Sequence, residues 1–178
     1  FKSADEVKLM QRAADISVEA HRAGMRAARA GIHEYELQAE VERVFRMHDA
    51  QPAYASIVGA GANACVLHYR DNNAKSRDGE LVLIDAGAEY RGYAADITRT
   101  FPVNGRFSKP QRALHDLVCA AQAAALTLAR PGIPYEASHE AAVATLTEGL
   151  LSLGLLKGRL ETAIERADYK RFYRHKTG

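Results

Sequence analysis

At 178 residues the chain is one large domain or a fragment of a larger one, and it can bury a substantial core. Its 47% apolar and 26% charged content are those of an ordinary globular protein, and 24 basic against 22 acidic residues leave a formal net charge of +2. That near-balance argues against a dedicated nucleic-acid binder, no run approaches the roughly 18 apolar residues of a membrane span, and the opening Phe1–Glu6 stretch lacks the pattern of a signal peptide.

Ser3 and Glu6 form a capping-box signature, in which each side chain satisfies the other's free backbone donor. Val7, Met10, Ala14, Val18 and Met25 then recur at helical spacing, and Gly31 is the expected C-terminal cap. A second helix is predicted from about Tyr35 to His48, with Leu37, Val41, Val44 and Phe45 on one face. From Gln51 the pattern turns to β. Tyr54 to Val58 is short and β-prone, and Gly59, Gly61 and Asn63 break it. Val66 to Tyr69 is predicted as a second short strand, ended by the polar run from Arg70 to Arg77. Asp78-Gly79 is a turn, and Leu81 to Asp85 reads as a strand buried on both faces. After a turn at Gly92, Tyr93 to Val103 reads as one continuous strand, ended by Asn104-Gly105.

Ser108 with Gln111 is a second capping box, opening a helix to about Arg130, and Pro131 to Pro134 breaks it. Another helix spans about Tyr135 to Leu153, and a short amphipathic piece, Arg159 to Ala167, precedes a basic tail. Cys65 and Cys119 have no CxxC spacing and read as reduced core thiols of a cytoplasmic protein. The order helix, helix, strands, helix, helix reads as a two-fold pseudo-repeat whose second copy lacks its sheet.

The chemistry centres on Asp85 and Asp96, in Leu83-Ile84-Asp85-Ala86-Gly87 and Tyr93-Ala94-Ala95-Asp96-Ile97-Thr98-Arg99-Thr100. Asp85 ends an aliphatic run, where a bare carboxylate is costly without a cation or several donors beside it. A hairpin through Gly92 would set Asp96 next to it. Neighbouring carboxylates repel unless they share a proton or a metal, and bridging carboxylates suit hard divalent ions roughly 3.5–4 Å apart. The residues alone leave a second reading open, in which Asp85 caps a turn and Asp96 pairs with Arg99 or Arg91. His68 is equally open to being a strand histidine facing solvent.

The stretches Ile57-Val58-Gly59 to Asn63, Leu67-His68-Tyr69, Asp78-Gly79 into Leu83-Ile84-Asp85-Ala86-Gly87, and Gly92-Tyr93 through Asp96-Ile97-Thr98-Arg99-Thr100-Phe101-Pro102-Val103-Asn104-Gly105 resemble the Xaa-Pro aminopeptidases. Those enzymes belong to the pita-bread superfamily, with prolidase, creatinase and methionine aminopeptidase. The resemblance runs from Ser3 to Gly178 and is densest from Tyr54 to Phe107. It implies an α+β fold, a curved antiparallel sheet with helices on its outer face. Residues 1–106 would be the first half of a catalytic domain, and residues 107–178 the start of an incomplete second half.

The resemblance also implies two divalent ions, Mn²⁺ in the usual case, held by two Asp, one His and two Glu. Asp85 and Asp96 match the two Asp. His68 and His175 match histidines that contact substrate, and Tyr54 matches a tyrosine that would orient a ligand carboxylate. Thr98 is placed by alternation instead: it shares the strand face of Asp96 by the period of two, so it too could orient the site. His175 would open a His-x-x-x-His motif whose second His, and then both Glu, are expected beyond Gly178. The implied activity is release of an N-terminal residue from peptides with proline second, with no nucleic-acid or membrane partner and with a homo-oligomer allowed. A prolidase-type dipeptidase and a catalytically dead binding homologue are the alternatives. Two Asp offer at most four oxygens and two Mn²⁺ ions take about six ligands each, so residues 1–178 alone are expected to bind metal weakly and to show no turnover.

His139-Glu140 lacks a second His at metalloprotease spacing. The tail, with Arg166, Lys170, Arg171, Arg174 and Lys176 around Tyr169, Phe172 and Tyr173, reads as a solvated surface or a segment covered by further strands, against a nucleic-acid contact.

Overall fold

The computed structural model describes residues 1–173. The chain divides into two compact units, Phe1–Ser108 and Lys109–Gly178.

In the first unit, helix α1 spans Ala4–Ala27 and helix α2 spans Glu34–Met47. The Ser3/Glu6 box closes as the sequence predicts: Ser3 N–H donates to Glu6 at 2.7 Å and Glu6 N–H donates to the Ser3 hydroxyl at 3.3 Å. The helix stops at Ala27, short of Gly31, which takes φ +86 inside the connector. Strands follow as β1 (Gln51–Pro52), β2 (Ile57–Ala60), β3 (Leu81–Ala86), β4 (Ala88–Tyr90), β5 (Tyr93–Ala94) and β6 (Ile97–Pro102). They form two antiparallel three-stranded sheets, ordered β1-β4-β5 and β2-β3-β6.

The helices cover one face of the β2-β3-β6 sheet. Val58, Ala60, Val82, Ile84 and Ala86 pack with Ile16, Ala20, Leu37, Val41, Val44 and Phe45 in one buried cluster. Fully burying each larger aliphatic here contributes roughly 1.5–3 kcal/mol. Strand β3 alternates, with Val82, Ile84 and Ala86 buried while Leu81, Leu83 and Asp85 are only half-buried. The sequence reading of a strand buried on both faces is therefore corrected: one face meets the helices, and the other carries Asp85.

Three further expectations change. The stretch Val66 to Tyr69 is a turn that follows a short 3-10 helix, Gly61–Cys65, and His68 within it takes a left-handed φ of 54. Tyr93 to Val103 is not one strand, since Ala95 and Asp96 lie outside the ladder between β5 and β6. Both cysteines are free and exposed, not core thiols: Cys65 closes the 3-10 helix, and Cys119 sits on the solvent side of a helix of the second unit.

That second unit is helical. Helix α3 spans Lys109–Thr127, α4 spans Tyr135–Ser152 and α5 spans Leu160–Glu165. Ala121, Ala142 and Leu146 form its small core, with Leu117, Ala125 and Tyr173 packed against it. Among the described residues, no helix is long and apolar enough to cross a membrane.

Candidate metal centre

Register sets the site on the half-buried face of β3. Asp85 pairs with Ile57 on one side and with Thr98 on the other. Ladder partners project to the same face of an antiparallel sheet, so Thr98 stands beside Asp85. The sequence placed Thr98 by alternation from Asp96, but Asp96 lies outside the strand, and the cross-strand pair puts Thr98 at the site instead.

Gly87 is the node that brings the remaining groups together. A Cβ built on it would lie 1.7 Å from the Ala95 carbonyl oxygen, so only glycine lets the 95–96 segment cross there. On its other side, the Gly87 carbonyl accepts the Ala53 N–H at 2.8 Å. Ala53 precedes Tyr54, Ala95 precedes Asp96, and Asp85 lies two residues before the glycine. Three candidate side chains therefore converge through one backbone position.

They meet at a single hydroxyl. The Tyr54 O–H reaches Asp85 Oδ1 at 2.6 Å and Asp96 Oδ1 at 2.9 Å. Both carboxylates thus stand within reach of one phenol, on one patch of the molecule. Burial first, and then the two carboxylates, push that phenol well above its ordinary pKa. It stays protonated, but it has one hydrogen to offer two anions. Two carboxylates that converge on one phenol are a donor set that fits a hard divalent cation. The guanidinium groups of the alternative reading are engaged elsewhere: Arg99 donates to the Thr98 carbonyl at 2.7 Å, and Arg91 lies 5.2 Å from the centre of the Tyr90 ring. Among the described residues, no group of three or more His, Cys, Asp or Glu side chains has the arrangement of a metal site.

His68 is exposed, on the loop between the 3-10 helix and β3. His175 lies outside the described residues. Two contributors escaped the sequence reading. Gly87 is visible as the glycine of Asp85-Ala86-Gly87, but its close approach to Ala95 is not. Glu34, completely buried at 0% exposure, carries no motif at all.

Comparison with known proteins places the whole chain beside a set of relatives. The chain is 46% identical over 179 residues to the Xaa-Pro aminopeptidase of Haemophilus influenzae, spanning 100% of this chain and 42% of that protein. The structure of the Pseudomonas aeruginosa aminopeptidase PepP superposes with a TM-score of 0.97 at 51% identity, over 99% of this chain and 40% of the other. Zinc-substituted aminopeptidase P of Escherichia coli, in complex with product, gives 0.94 at 44% identity over the same shares. The fold is thus that of the aminopeptidase P structures, α+β with helices outside antiparallel strands, and the chain spans about two-fifths of the length of these relatives. The model of metallopeptidase family M24 matches residues 8–178, and the chain belongs to that family.

Proposed function

We propose that the protein carrying this chain is a dinuclear metal aminopeptidase that hydrolyses the bond between an N-terminal residue and a following proline. The observation that carries the reading is the convergence of Asp85 and Asp96 on the Tyr54 hydroxyl, at 2.6 and 2.9 Å. The similarity to proteins named Xaa-Pro aminopeptidase supplies the substrate class. Residues 1–106 would form the half of the catalytic domain that holds both aspartates, and residues 107–178 the start of the other half.

Asp85 and Asp96 would hold two divalent cations, with Mn²⁺ as the working choice, and the remaining ligand positions would be filled by water and by groups outside the described residues. When bound, such a pair supplies Lewis-acid chemistry, acidifying water and polarising a carbonyl. The chain's own residues do the positioning. Tyr54 stays protonated and fixes one oxygen of each aspartate, so the unshared oxygens keep their direction. Thr98, the cross-strand partner of Asp85, would limit where that carboxylate swings. His68 and His175 would contact the substrate carbonyl or the proline nitrogen. A proline amide has no N–H to be recognised, so specificity must rest on shape and on such donors. A cytoplasmic location is in keeping with this reading, and a homo-oligomer is compatible with it.

The test is Mn²⁺-dependent cleavage of Xaa-Pro-containing peptides by the intact protein, beside Asp85→Asn and Asp96→Asn. Each variant is expected to lose about a thousandfold in kcat/KM, the equivalent of several kcal/mol at the transition state. Activity that survives both substitutions would sink the reading. Cleavage confined to dipeptides would turn it towards a prolidase, and metal-dependent binding of peptide without cleavage towards an inactive homologue. Residues 1–178 alone are expected to show no turnover.

A further inference from the structure

The loop that carries His68 is held from beneath by one buried carboxylate. Glu34, the first residue of α2, is 0% exposed and accepts from four neutral donors. Its Oε1 takes the Ala60 N–H at 2.7 Å and the Asn63 amide at 3.0 Å. Its Oε2 takes the Tyr69 hydroxyl at 2.8 Å and the Ala74 N–H at 2.9 Å. These donors are spaced along the whole segment from the end of β2 to the far side of the loop. A carboxylate is an acceptor at both oxygens and can grip two pairs of donors at once. A neutral amide cannot.

The backbone around His68 shows what this grip does. Tyr69, the next residue, is drawn inward until only 8% is exposed, while Val66, Leu67 and His68 stay exposed. His68 bridges the change of direction in the left-handed region, at φ 54, and Asn72 does so again at φ 44. Non-glycine residues hold such conformations where their surroundings over-determine them. Asn72 is fixed in turn: its side chain donates to Gln38 and to the Ser56 carbonyl, both at 2.9 Å, and accepts the Val58 N–H at 3.0 Å. Close packing at Gly59, where a Cβ would come within 2.9 Å of the Ala64 nitrogen, presses the 3-10 helix onto β2.

We propose that Glu34 is a positioning residue of the catalytic centre: by gripping Ala60, Asn63, Tyr69 and Ala74 it fixes the loop and thereby the place from which His68 reaches substrate. This rests on the substrate-contacting role given to His68 above. The mechanism is mechanical, because the partners of the Glu34 carboxylate are Ala60, Asn63, Tyr69 and Ala74, neither of the two aspartates among them.

The test is a double-mutant cycle in the intact protein with Glu34→Gln and His68→Ala, read both as Mn²⁺-dependent Xaa-Pro cleavage and as amide hydrogen exchange of the metal-free protein. In Glu34→Gln the NH₂ must face one pair of donors, so the Ala60 or the Ala74 amide proton loses its acceptor and should exchange faster. A fall in kcat/KM of tenfold to a hundredfold is expected from roughly 1 Å of misplacement. Adding Glu34→Gln to His68→Ala should cost nothing further. Tyr69→Phe, which removes one tether and leaves a fully apolar ring in place, should show the same pattern at smaller size if Glu34→Gln fails to fold. Unchanged exchange at residues 60 and 74, or losses that simply multiply in the double mutant, would overturn the proposal. Full activity of His68→Ala would remove the role given to His68, and the exchange measurement would then judge Glu34's hold on the loop by itself.

Discussion

The aspartate patch and the loop that carries His68 are built on different principles. The aspartate patch is made by ladder register: Asp85 faces Thr98 across β3 and β6, and one close crossing at Gly87 delivers Tyr54 and Asp96. The His68 loop has only an isolated backbone bridge, His33 with Lys75, at its far end. It is hung on a buried carboxylate and a buried asparagine, whose partners lie up to 40 residues away in sequence. A ladder repeats its support at every residue pair, whereas a hub concentrates it in a few side chains. The patch should therefore fail when backbone is forced apart, and the loop when one polar group is altered.

Backbone substitutions break the comparison most directly. Gly87→Ala pushes a methyl into the Ala95 carbonyl, only 1.7 Å away, and should cost about 1–3 kcal/mol of stability, seen as a lower urea midpoint at unchanged slope. It should also abolish Mn²⁺-dependent activity by moving Asp96 off the shared hydroxyl. The matched change in the other region, Gly59→Ala, meets the Ala64 nitrogen at 2.9 Å and should cost less, and it should alter the His68 loop while leaving metal affinity alone. Equal effects of the two variants on metal affinity would erase the distinction.

A side-chain change sharpens it. Tyr54→Phe leaves the fold and both aspartates in place but removes the hydroxyl between them. Loss of a group that orients ligands costs roughly 10–100-fold in metal affinity or activity. The loss should appear as a higher Mn²⁺ concentration for half-maximal rate. Wild-type Mn²⁺ dependence in Tyr54→Phe would show that Tyr54 merely fills space.

The smallest effect concerns how the hairpin leading to Asp96 is tied down. Glu6 accepts the Tyr93 hydroxyl at 2.7 Å as well as the Ser3 N–H. The Ser3 backbone N–H first, and then Tyr93, hold its carboxyl below the ordinary value of 4.5. A depressed carboxylate stabilises the folded state above its unfolded pKa, and that stability is lost as pH falls through the folded value. The difference in thermal midpoint between wild type and Glu6→Gln should thus be present at neutral pH and close below about pH 4.5. A gap that stays constant into acid would mean that Glu6 acts through packing.

Much of this was legible along the chain. Helical periodicity gave α1 and α2 to within a few residues, because a buried stripe leaves its period in the sequence, and a capping box and the Pro131 to Pro134 break bounded α3 and α4 about as closely. The pairing of Asp85 with Asp96 was legible because a polar residue ending an aliphatic strand demands an explanation. Short segments were read less well. Val66 to Tyr69 has strand composition, yet it turns, since the Tyr69 hydroxyl is pulled to Glu34 from the start of α2. Thr98 was chosen for its spacing from Asp96, but it reaches the site by facing Asp85.

Local sequence thus determined where helices form, which strand ends in a carboxylate, and that two aspartates could share a patch, since each depends on neighbours a few positions apart. Tertiary structure alone decided that one phenol serves both aspartates, that Gly87 admits the Ala95 carbonyl, and that Glu34 is the anchor of the His68 loop. Those facts belong to groups 31, 42 and 35 residues apart, or to backbones that cross. No period or motif records such a meeting; only the folded register creates it.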